Sequence, residues 1–282
     1  MMNSYSQHAW SKRGLAFGHY SVLILLSAFC LAPLVVMLLT SLKTQAQIFN
    51  TSASWFFFPT LENYSSILFE GNFDQYMINS LIVGLVSTAI TLLFGCMAAY
   101  AIVRFRFMGR SAVAWTTLLL RTIPLVVLVV PVFSLWSDVG LDGSLSGLIF
   151  LYVAINLPFT IWVLYGFIDQ VPYELEEAAM IDGCGPLRLF FMIVLPLIRP
   201  GLAAAAIFTF RIAWNEFILA LVLTDRATRT LPVAASLYIT DVGVEWGKIT
   251  ALGVLIALPP LLFTFFAAKQ IISGLTSGAV KG

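Results

Sequence analysis

The sequence has few charged residues for its length. Only 10% of its 282 residues are Asp, Glu, Lys or Arg, and the formal net charge is +1. A soluble globular chain carries about 25% charged residues, so these charges are too few to cover a water-facing surface of this size. The small net charge also excludes the basic surface typical of nucleic-acid-binding proteins. Because 60% of the residues are hydrophobic, we expect lipid to cover much of the chain.

Histidine and cysteine are scarce as well. Both histidines, His8 and His19, precede the first long apolar run, and the cysteines are Cys30, Cys96 and Cys184. The spacing of these residues matches neither a zinc site nor a disulfide framework. The sequence therefore predicts no metal site, no cofactor bound by this chain and no catalytic residue.

Six apolar runs are long enough to cross a bilayer, which takes about 20 residues in a helix. They are residues 20–40, 80–103, 112–135, 145–167, 201–224 and 249–272. This pattern predicts an all-α membrane protein with six transmembrane helices in a single domain over residues 1–282.

The positions of lysine and arginine predict the orientation of these spans, since cytoplasmic segments carry an excess of both. With the N-terminus in the cytoplasm, the inner segments hold nine of these residues and the outer segments hold four. Both termini are therefore predicted to be cytoplasmic. Arg104, Arg106 and Arg110 form the densest basic cluster, and we expect it to be an anchor at the membrane surface with no other role.

The longest inner segment, residues 171–200, begins with signals for a short helix. Pro172 suits a first helical turn, and Gly183 suits the left-handed position that closes a helix. Acidic residues, which the helix dipole favours near the N-terminus, follow the proline at Glu174, Glu176 and Glu177. A helix of about ten residues is only ~15 Å long, too short to span a bilayer. Within it, Ala178 and Ala179 are predicted to form a smooth patch for a partner.

This segment resembles the cytoplasmic EAA loop of bacterial ABC importer permeases. The resemblance lies in Glu177, Ala178, Ala179, Asp182 and Gly183, followed by a Leu-Pro pair at 195–196 and a proline at 200. It implies a coupling helix that docks in a cleft of a separate ATPase subunit. One departure is the cysteine at position 184, where the family usually has alanine; because the change is small for small, we expect docking to survive.

Two further stretches resemble the carbohydrate-uptake branch of these permeases, in particular the smaller maltose-permease subunit. They are Trp214-Asn215-Glu216-Phe217 and the C-terminal residues 274–282. The resemblance implies a type I importer in the bacterial inner membrane. Its other parts would be a second homologous permease, two copies of an ABC ATPase that bind ATP and magnesium, and a periplasmic or extracellular sugar-binding protein. It also implies that the tail contacts the ATPase through Gly278, Ala279, Val280 and Lys281.

Polar residues inside the predicted spans are candidates for the substrate path. A charge at membrane depth is costly, so Arg121, Arg211 and Glu216 must face protein or water. The candidate path residues are Asn156, Trp214, Asn215 and Glu216, with Trp214 or Tyr152 offering a stacking face to a sugar. The alternative is that these residues pair helices or subunits, with Glu216 for example bound to Arg121.

The predicted function is import of a sugar or sugar derivative driven by ATP. A secondary transporter driven by an ion gradient is the alternative, but it would need intramembrane carboxylates, and Glu216 is the only one in the predicted spans. Residues 243–249 only superficially resemble a phosphate-binding loop, since the two glycines are one residue too close and Ile249 replaces the Ser or Thr. ATP hydrolysis is therefore assigned to another chain.

Overall fold

A computed structural model describes the backbone of residues 3–50 and 55–279, and the side chains of residues 18–50 and 55–265. The chain divides into two compact units. One is formed by Met1–Glu70 with Tyr238–Leu255, and the other by Gly71–Leu237 with Ile256–Gly282.

The first unit combines one long apolar helix with short elements. Its elements are α1 (Asn3–Ser41), α2 (Gln45–Phe49), α3 (Glu62–Ser65), a π-helical turn (Ser66–Glu70), β1 (Ile239–Thr240), β2 (Gly243–Val244) and the start of α14 (Trp246–Ala279). From residue 18 onward, most apolar side chains of α1 are exposed, as contact with lipid requires.

Side-chain caps fix the segment that follows α1. Thr44 and Gln47 form a capping box at the start of α2, in which each side chain bonds the backbone N–H of the other residue. The Asn63 amide donates to the carbonyls of Ser41 and Lys43.

The strands β1 and β2 form a short antiparallel hairpin. Its four residues are the only β-structure in the described part of the chain.

The second unit contains most of the helices. They are α4 (Phe73–Arg104), α5 (Arg110–Leu120), α6 (Leu125–Asp138), α7 (Leu145–Asp169), α8 (Tyr173–Ile181), α9 (Pro186–Leu189), a π-helical turn (Phe190–Val194), α10 (Leu195–Leu197), α11 (Arg199–Asn215), α12 (Ile218–Leu223), α13 (Leu231–Ser236) and the remainder of α14.

The core of this unit is formed by α4, α7 and α11. Gly95 of α4 permits a close approach to α7, because a Cβ at this position would come within 2.7 Å of Thr160 Cγ2. The hydroxyls of Thr160 and Thr209 lie 2.9 Å apart and bond each other in the interior. Small residues and paired hydroxyls of this kind are typical of helix contacts within membranes.

Four helical stretches of the described chain are long and apolar enough to cross a membrane without a break. They are Gly18–Ser41, Phe73–Arg104, Leu145–Asp169 and Trp246–Phe265, and they correspond to the first, second, fourth and sixth predicted spans. Two bent helix pairs, Arg110–Leu120 with Leu125–Asp138 and Pro186–Leu197 with Arg199–Asn215, raise the number of candidate spans to six.

The third and fifth predicted spans, residues 112–135 and 201–224, are not continuous helices in the structure. The third span bends by 99° between α5 and α6, because Pro124 has no N–H to donate and disfavours helical geometry at Ile123. The fifth span stops at Asn215, and helix resumes at Ile218. Glu216 and Phe217 therefore lie in a break rather than in a helix.

Candidate coupling site and membrane path

The short helix α8 has the ends that the sequence predicts. Pro172 precedes its first residue, and two glutamates lie in its first turn. At the other end Gly183 has a φ of 82°. The N–H of Gly183 donates to the carbonyl of Met180, and the N–H of Cys184 donates to that of Ala179. These two bonds form a Schellman motif, which fixes where the chain leaves the helix.

The two faces of α8 differ in burial. Glu176 and Ala179 are buried, whereas Glu177, Ala178 and Ile181 are exposed, Ile181 to 86%. The prediction that Ala178 and Ala179 form one exposed patch is therefore wrong, because neighbouring residues on a helix point about 100° apart. Of the two alanines, only Ala178 is exposed and so available to a partner.

A buried ion pair holds α8 in place. Arg104, the last residue of α4, donates from Nε to Glu176 Oε1 over 2.6 Å. The Tyr100 hydroxyl donates to Glu176 Oε2 over 2.8 Å. Arg104 Nη2 donates to the carbonyl of Ile168, near the end of α7, and to the carbonyl of Val171, just beyond it. One guanidinium thus joins α4, α7 and α8.

The prediction that the whole basic cluster is only a surface anchor is therefore wrong for Arg104. Sequence reasoning missed Arg104, Tyr100 and Glu176 as parts of this site. The available signal was the spacing of Glu176 and Ala179, three residues apart and so on one face of the helix. Nothing in the local pattern indicated a partner 72 positions away.

The segment after α8 packs against the buried face of α8 through apolar side chains. Leu189, Phe190 and Val194 are buried in one cluster with Ala179 and Ile168. Leu187 and Met192, in contrast, are exposed. This segment thus has a packed side and an exposed side that includes apolar residues.

The carboxylate of Glu216 lies at the break of the fifth span and is fully bonded. Its Oε1 accepts from the N–H of Leu219 at 2.9 Å, and its Oε2 accepts from the N–H of Ala220 at 3.0 Å. The Tyr152 hydroxyl also donates to Oε2, over 2.7 Å. Glu216 therefore caps α12 and ties it to α7. No ion pair joins it to Arg121 in this part of the chain, so that hypothesis is not supported.

The aromatic candidates for a stacking face are buried. Tyr152 has no exposed surface and Trp214 is 1% exposed. The Trp214 ring stacks on Phe210, and its Nε1–H donates to the carbonyl of Ile256. Neither ring has a free face for a sugar here.

Asn156 and Arg121 meet in a cavity of about 490 Å³, at the bend between α5 and α6. The Asn156 amide nitrogen donates to the carbonyl of Tyr152, while its Oδ1 is buried without a partner among the described residues. The Arg121 guanidinium lies 4.3 Å from the centroid of the Phe159 ring. The cavity walls are otherwise mostly apolar, as in many small-molecule sites.

The remaining predicted residues lie apart from this cavity. Asn215 is exposed, and its side chain donates to the carbonyl of Arg211. Gly278 and Ala279 are the last residues of α14, whereas Val280 and Lys281 lie outside the described residues. Among the residues the structure describes, no group of three or more His, Cys, Asp or Glu is placed to hold a metal.

Comparison with known proteins agrees with this architecture. The model of the family described as binding-protein-dependent transport system inner membrane component matches residues 91–274, more than half of the chain. A solved bacterial ABC transporter involved in the import of the acidic polysaccharide alginate has a chain of the same fold, with a TM-score of 0.76, 19% identity, and coverage of 92% of this chain and 97% of that chain.

Two curated relatives are similar over most of their length. The sulfoquinovosyl glycerol transport system permease protein SmoH of Agrobacterium fabrum is 36% identical, over 97% of this chain and 95% of that protein. The trehalose transport system permease protein SugB of Mycobacterium tuberculosis is 38% identical, over 79% of this chain and 82% of that protein. The chain therefore belongs to the family of binding-protein-dependent transport system inner membrane components, and it is a multi-pass permease of the ABC type rather than an enzyme.

Proposed function

We propose that this chain is one of two membrane-spanning subunits of an ATP-driven importer for a sugar or sugar derivative. It forms half of the translocation path and couples to a separate ATPase through the loop that contains α8. The observation that carries this proposal is the seating of α8: its inner face is fixed by the Arg104–Glu176 pair, and its outer face exposes Ala178 and Ile181.

This arrangement suits the transmission of movement. Because Arg104 bonds Glu176 together with two carbonyls at the end of α7, a displacement of α8 acts on the ends of α4 and α7 at once. These two helices belong to the core of the second unit. Packed interiors move as rigid pieces rather than deforming continuously, so a push on α8 would reach the membrane-embedded part of the chain.

The cavity at Arg121 and Asn156 is the best candidate for this chain's share of the path. The free Oδ1 of Asn156 suits a hydroxyl donor, and Arg121 suits a hydroxyl or an acidic group. The relatives named above transport trehalose and sulfoquinovosyl glycerol, which supports a carbohydrate substrate. Asn215 would lie at the edge of such a path, whereas Trp214 and Glu216 would act by holding its wall.

The proposed assembly contains a second homologous permease, two ABC ATPases that bind ATP and magnesium, and an external sugar-binding protein. Both termini of this chain would be cytoplasmic, which the lysine and arginine counts support. The tail residues Gly278, Ala279, Val280 and Lys281 would contact the ATPase pair, as the family resemblance implies.

An ion-driven transporter remains the competing proposal, and the bonding of Glu216 speaks against it. The oxygens of this carboxylate already accept from two backbone N–H groups and a tyrosine hydroxyl, so fixed contacts occupy them and a transported ion finds no open acceptor there.

Reconstitution tests the choice between the two. The chain, purified with the subunits encoded beside it, is placed in sealed vesicles with ATP trapped on the side of α8, and uptake of radiolabelled sugar is measured with binding protein outside. We expect uptake to require ATP and to persist after ionophores collapse every ion gradient. Uptake that survives without ATP but stops with ionophores would establish the competing proposal instead.

A further inference from the structure

Two arginines lie near the middle of predicted spans. Arg121 follows α5 at the bend of the third span, and Arg211 lies in α11, about one turn before that helix ends. Both residues are exposed in this chain. A charged group at membrane depth is costly unless it faces protein, water or an opposite charge, so the surroundings of these two groups indicate what they face.

Aromatic rings lie against both guanidinium groups. The Arg121 group is 4.3 Å from the centroid of the Phe159 ring of α7, and the Arg211 group is 5.9 Å from the centroid of the Phe208 ring of α11. The two rings meet edge to face, with 5.8 Å between their centroids. One aromatic pair thus places both cations. A ring attracts a cation but has no net charge, so both arginines remain positive.

No acidic side chain pairs with either arginine in the part of the chain whose side chains the structure describes. The ion pairs found there involve other residues. Glu216 is the only acidic residue within the predicted spans, and its carboxylate already accepts from Tyr152 and from two backbone N–H groups. The charge of Arg121 and Arg211 is therefore not balanced by this chain.

The cavity of about 490 Å³ between α5, α6, α7 and α11 contains the first of these charges. Arg121 lines it, Asn156 is the other polar residue of the described wall, and no acidic residue belongs to that wall. Ile212 lines the same cavity from α11, so the backbone of Arg211 adjoins it. Apolar walls with charge of a single sign focus the electric field and attract ions of the opposite sign.

We infer that the substrate carries an acidic group, such as a carboxylate, sulfate or phosphate, and that Arg121 pairs with this group in the cavity while Arg211 adds to the positive field. This inference rests on the proposed function and narrows its substrate to an anionic sugar. A planar guanidinium donates in parallel to two oxygens of such a group, whereas a neutral sugar would leave the charge without a counter-ion. The competing explanation is that an acidic side chain of the second permease neutralises Arg121.

Thiol reagents of opposite charge measure the field in the cavity before any substrate is known. Ile123, which lines the cavity and is 40% exposed, is replaced by cysteine in a chain that also carries Cys30→Ser and Cys184→Ser; Cys96 is buried. The complex, purified with the subunits encoded beside it, is treated with a sulfonate or a trimethylammonium methanethiosulfonate. Modification of this chain is followed by intact mass, and each rate is divided by that of the same reagent with a small free thiol. Ile212→Cys gives a second position on the same wall.

The sulfonate reagent should react about tenfold faster than the trimethylammonium reagent, because a positive cavity concentrates anions. Adding Arg121→Gln should remove most of this preference. The matched control Arg106→Gln removes the same charge from an exposed position that does not line the cavity, and it should change the preference by less than about twofold. Equal rates for the two reagents would show that the partner neutralises Arg121, and failure of both cysteines to react would show that the cavity is closed to water. Either result would overturn the inference.

Uptake separates a failure of this inference from a failure of the proposed function. The binding protein encoded beside this chain is screened by thermal shift against mono- and disaccharides in matched neutral and acidic forms, such as glucose and glucuronate. The best ligand, which we expect to be acidic, is then used for ATP-driven uptake into sealed vesicles. Arg121→Gln should lower this uptake by about tenfold or more, and Arg121→Lys, which keeps the charge, should retain more of it.

Two other outcomes are informative. ATP-driven uptake of a neutral sugar that is as fast with Arg121→Gln as with the native chain would overturn the inference and leave the proposed function intact. A binding protein that none of the sugars stabilises would instead count against the proposed function, and the thiol rates would still decide the sign of the charge in the cavity.

Discussion

The guanidinium of Arg104 and the carboxylate of Glu176 form a buried ion pair that joins α4 to α8, with 2.6 Å between Nε and Oε1. Glu176 is almost completely buried, and the Tyr100 hydroxyl occupies its second oxygen. Burying two charges is costly, and the pair persists because each charge has further hydrogen bonds. The position of the loop that contains α8 therefore depends on a contact between residues that are far apart in sequence.

Removing one partner of this pair should destabilise the protein. Glu176→Ala leaves Arg104 charged and buried with only two carbonyl acceptors, and loss of one member of a buried pair costs about 3–5 kcal/mol. We expect a lower thermal unfolding midpoint and weaker co-purification of the ATPase. Glu177→Ala, next to it on the exposed face, is the control for stability alone and should keep the unfolding midpoint of the wild type, because Glu177 has no part in the buried pair. Equal stability of the two variants would show that the pair does not hold α8.

A valine at Gly183 should disturb the end of α8, whereas a valine at Gly185 should not. Gly183 has a φ of 82°, which costs an L-residue about 1–2 kcal/mol and more for a β-branched one. Gly183→Val should therefore misplace α8 and reduce stimulation of ATP hydrolysis by the binding protein.

Gly185 provides a matched control for this experiment. It has a φ of −71° and a ψ of 159°, a conformation that valine adopts readily, and a Cβ there meets no atom within 4 Å. Gly185→Val should support normal transport. If both variants behave alike, the left-handed turn at Gly183 has no part in coupling.

Glu216→Gln distinguishes a structural role from a role in substrate recognition. Both carboxylate oxygens accept hydrogen bonds in the native site, and the NH₂ group of glutamine must replace one acceptor with a donor. We expect a loss of about 1–3 kcal/mol in stability, measured as a lower unfolding midpoint, with unchanged substrate selectivity. A change in selectivity at normal stability would place Glu216 in the path after all.

The orientation can be tested with thiol labelling. A cysteine at Ala227, which is exposed in the loop between α12 and α13, should react in spheroplasts with a reagent that does not cross membranes. Cys184, within the loop that contains α8, should react only after the membrane is opened. Labelling of Cys184 from outside would reverse the proposed topology.

The membrane fold and the bounds of helix α8 could be predicted because their signals are local. Apolar runs of sufficient length reveal spans, and the proline, the acidic first turn and the glycine at 183 reveal α8. Pro124 is a signal for the bend of the third span, but a search for apolar runs of sufficient length takes no account of proline. The break at Glu216 and Phe217 contains neither proline nor glycine, so nothing in the local sequence marks it.

The tertiary contacts were less predictable, because they depend on which helix faces come together. The partnership of Arg104 with Glu176 needs the ends of α4 and α8 to meet, and the bond between Tyr152 and Glu216 needs α7 to lie beside the break. The burial of a side chain also depends on which helix faces meet. Because Trp214 is the same residue whether it lines a path or stacks on Phe210, the sequence does not show which of the two occurs. Only the packing of the second unit decides between these outcomes.

The central claim, that the outer face of α8 docks on an ATPase subunit, is tested most directly by site-specific cross-linking. A photoreactive amino acid at Ile181, which is 86% exposed on that face, is introduced into the complex expressed with the subunits encoded beside it. A complex active in ATP-driven uptake should yield a cross-link between this chain and the ATPase, and the same group at Ala227 should yield none. An active complex in which Ile181 never cross-links to the ATPase would contradict the account.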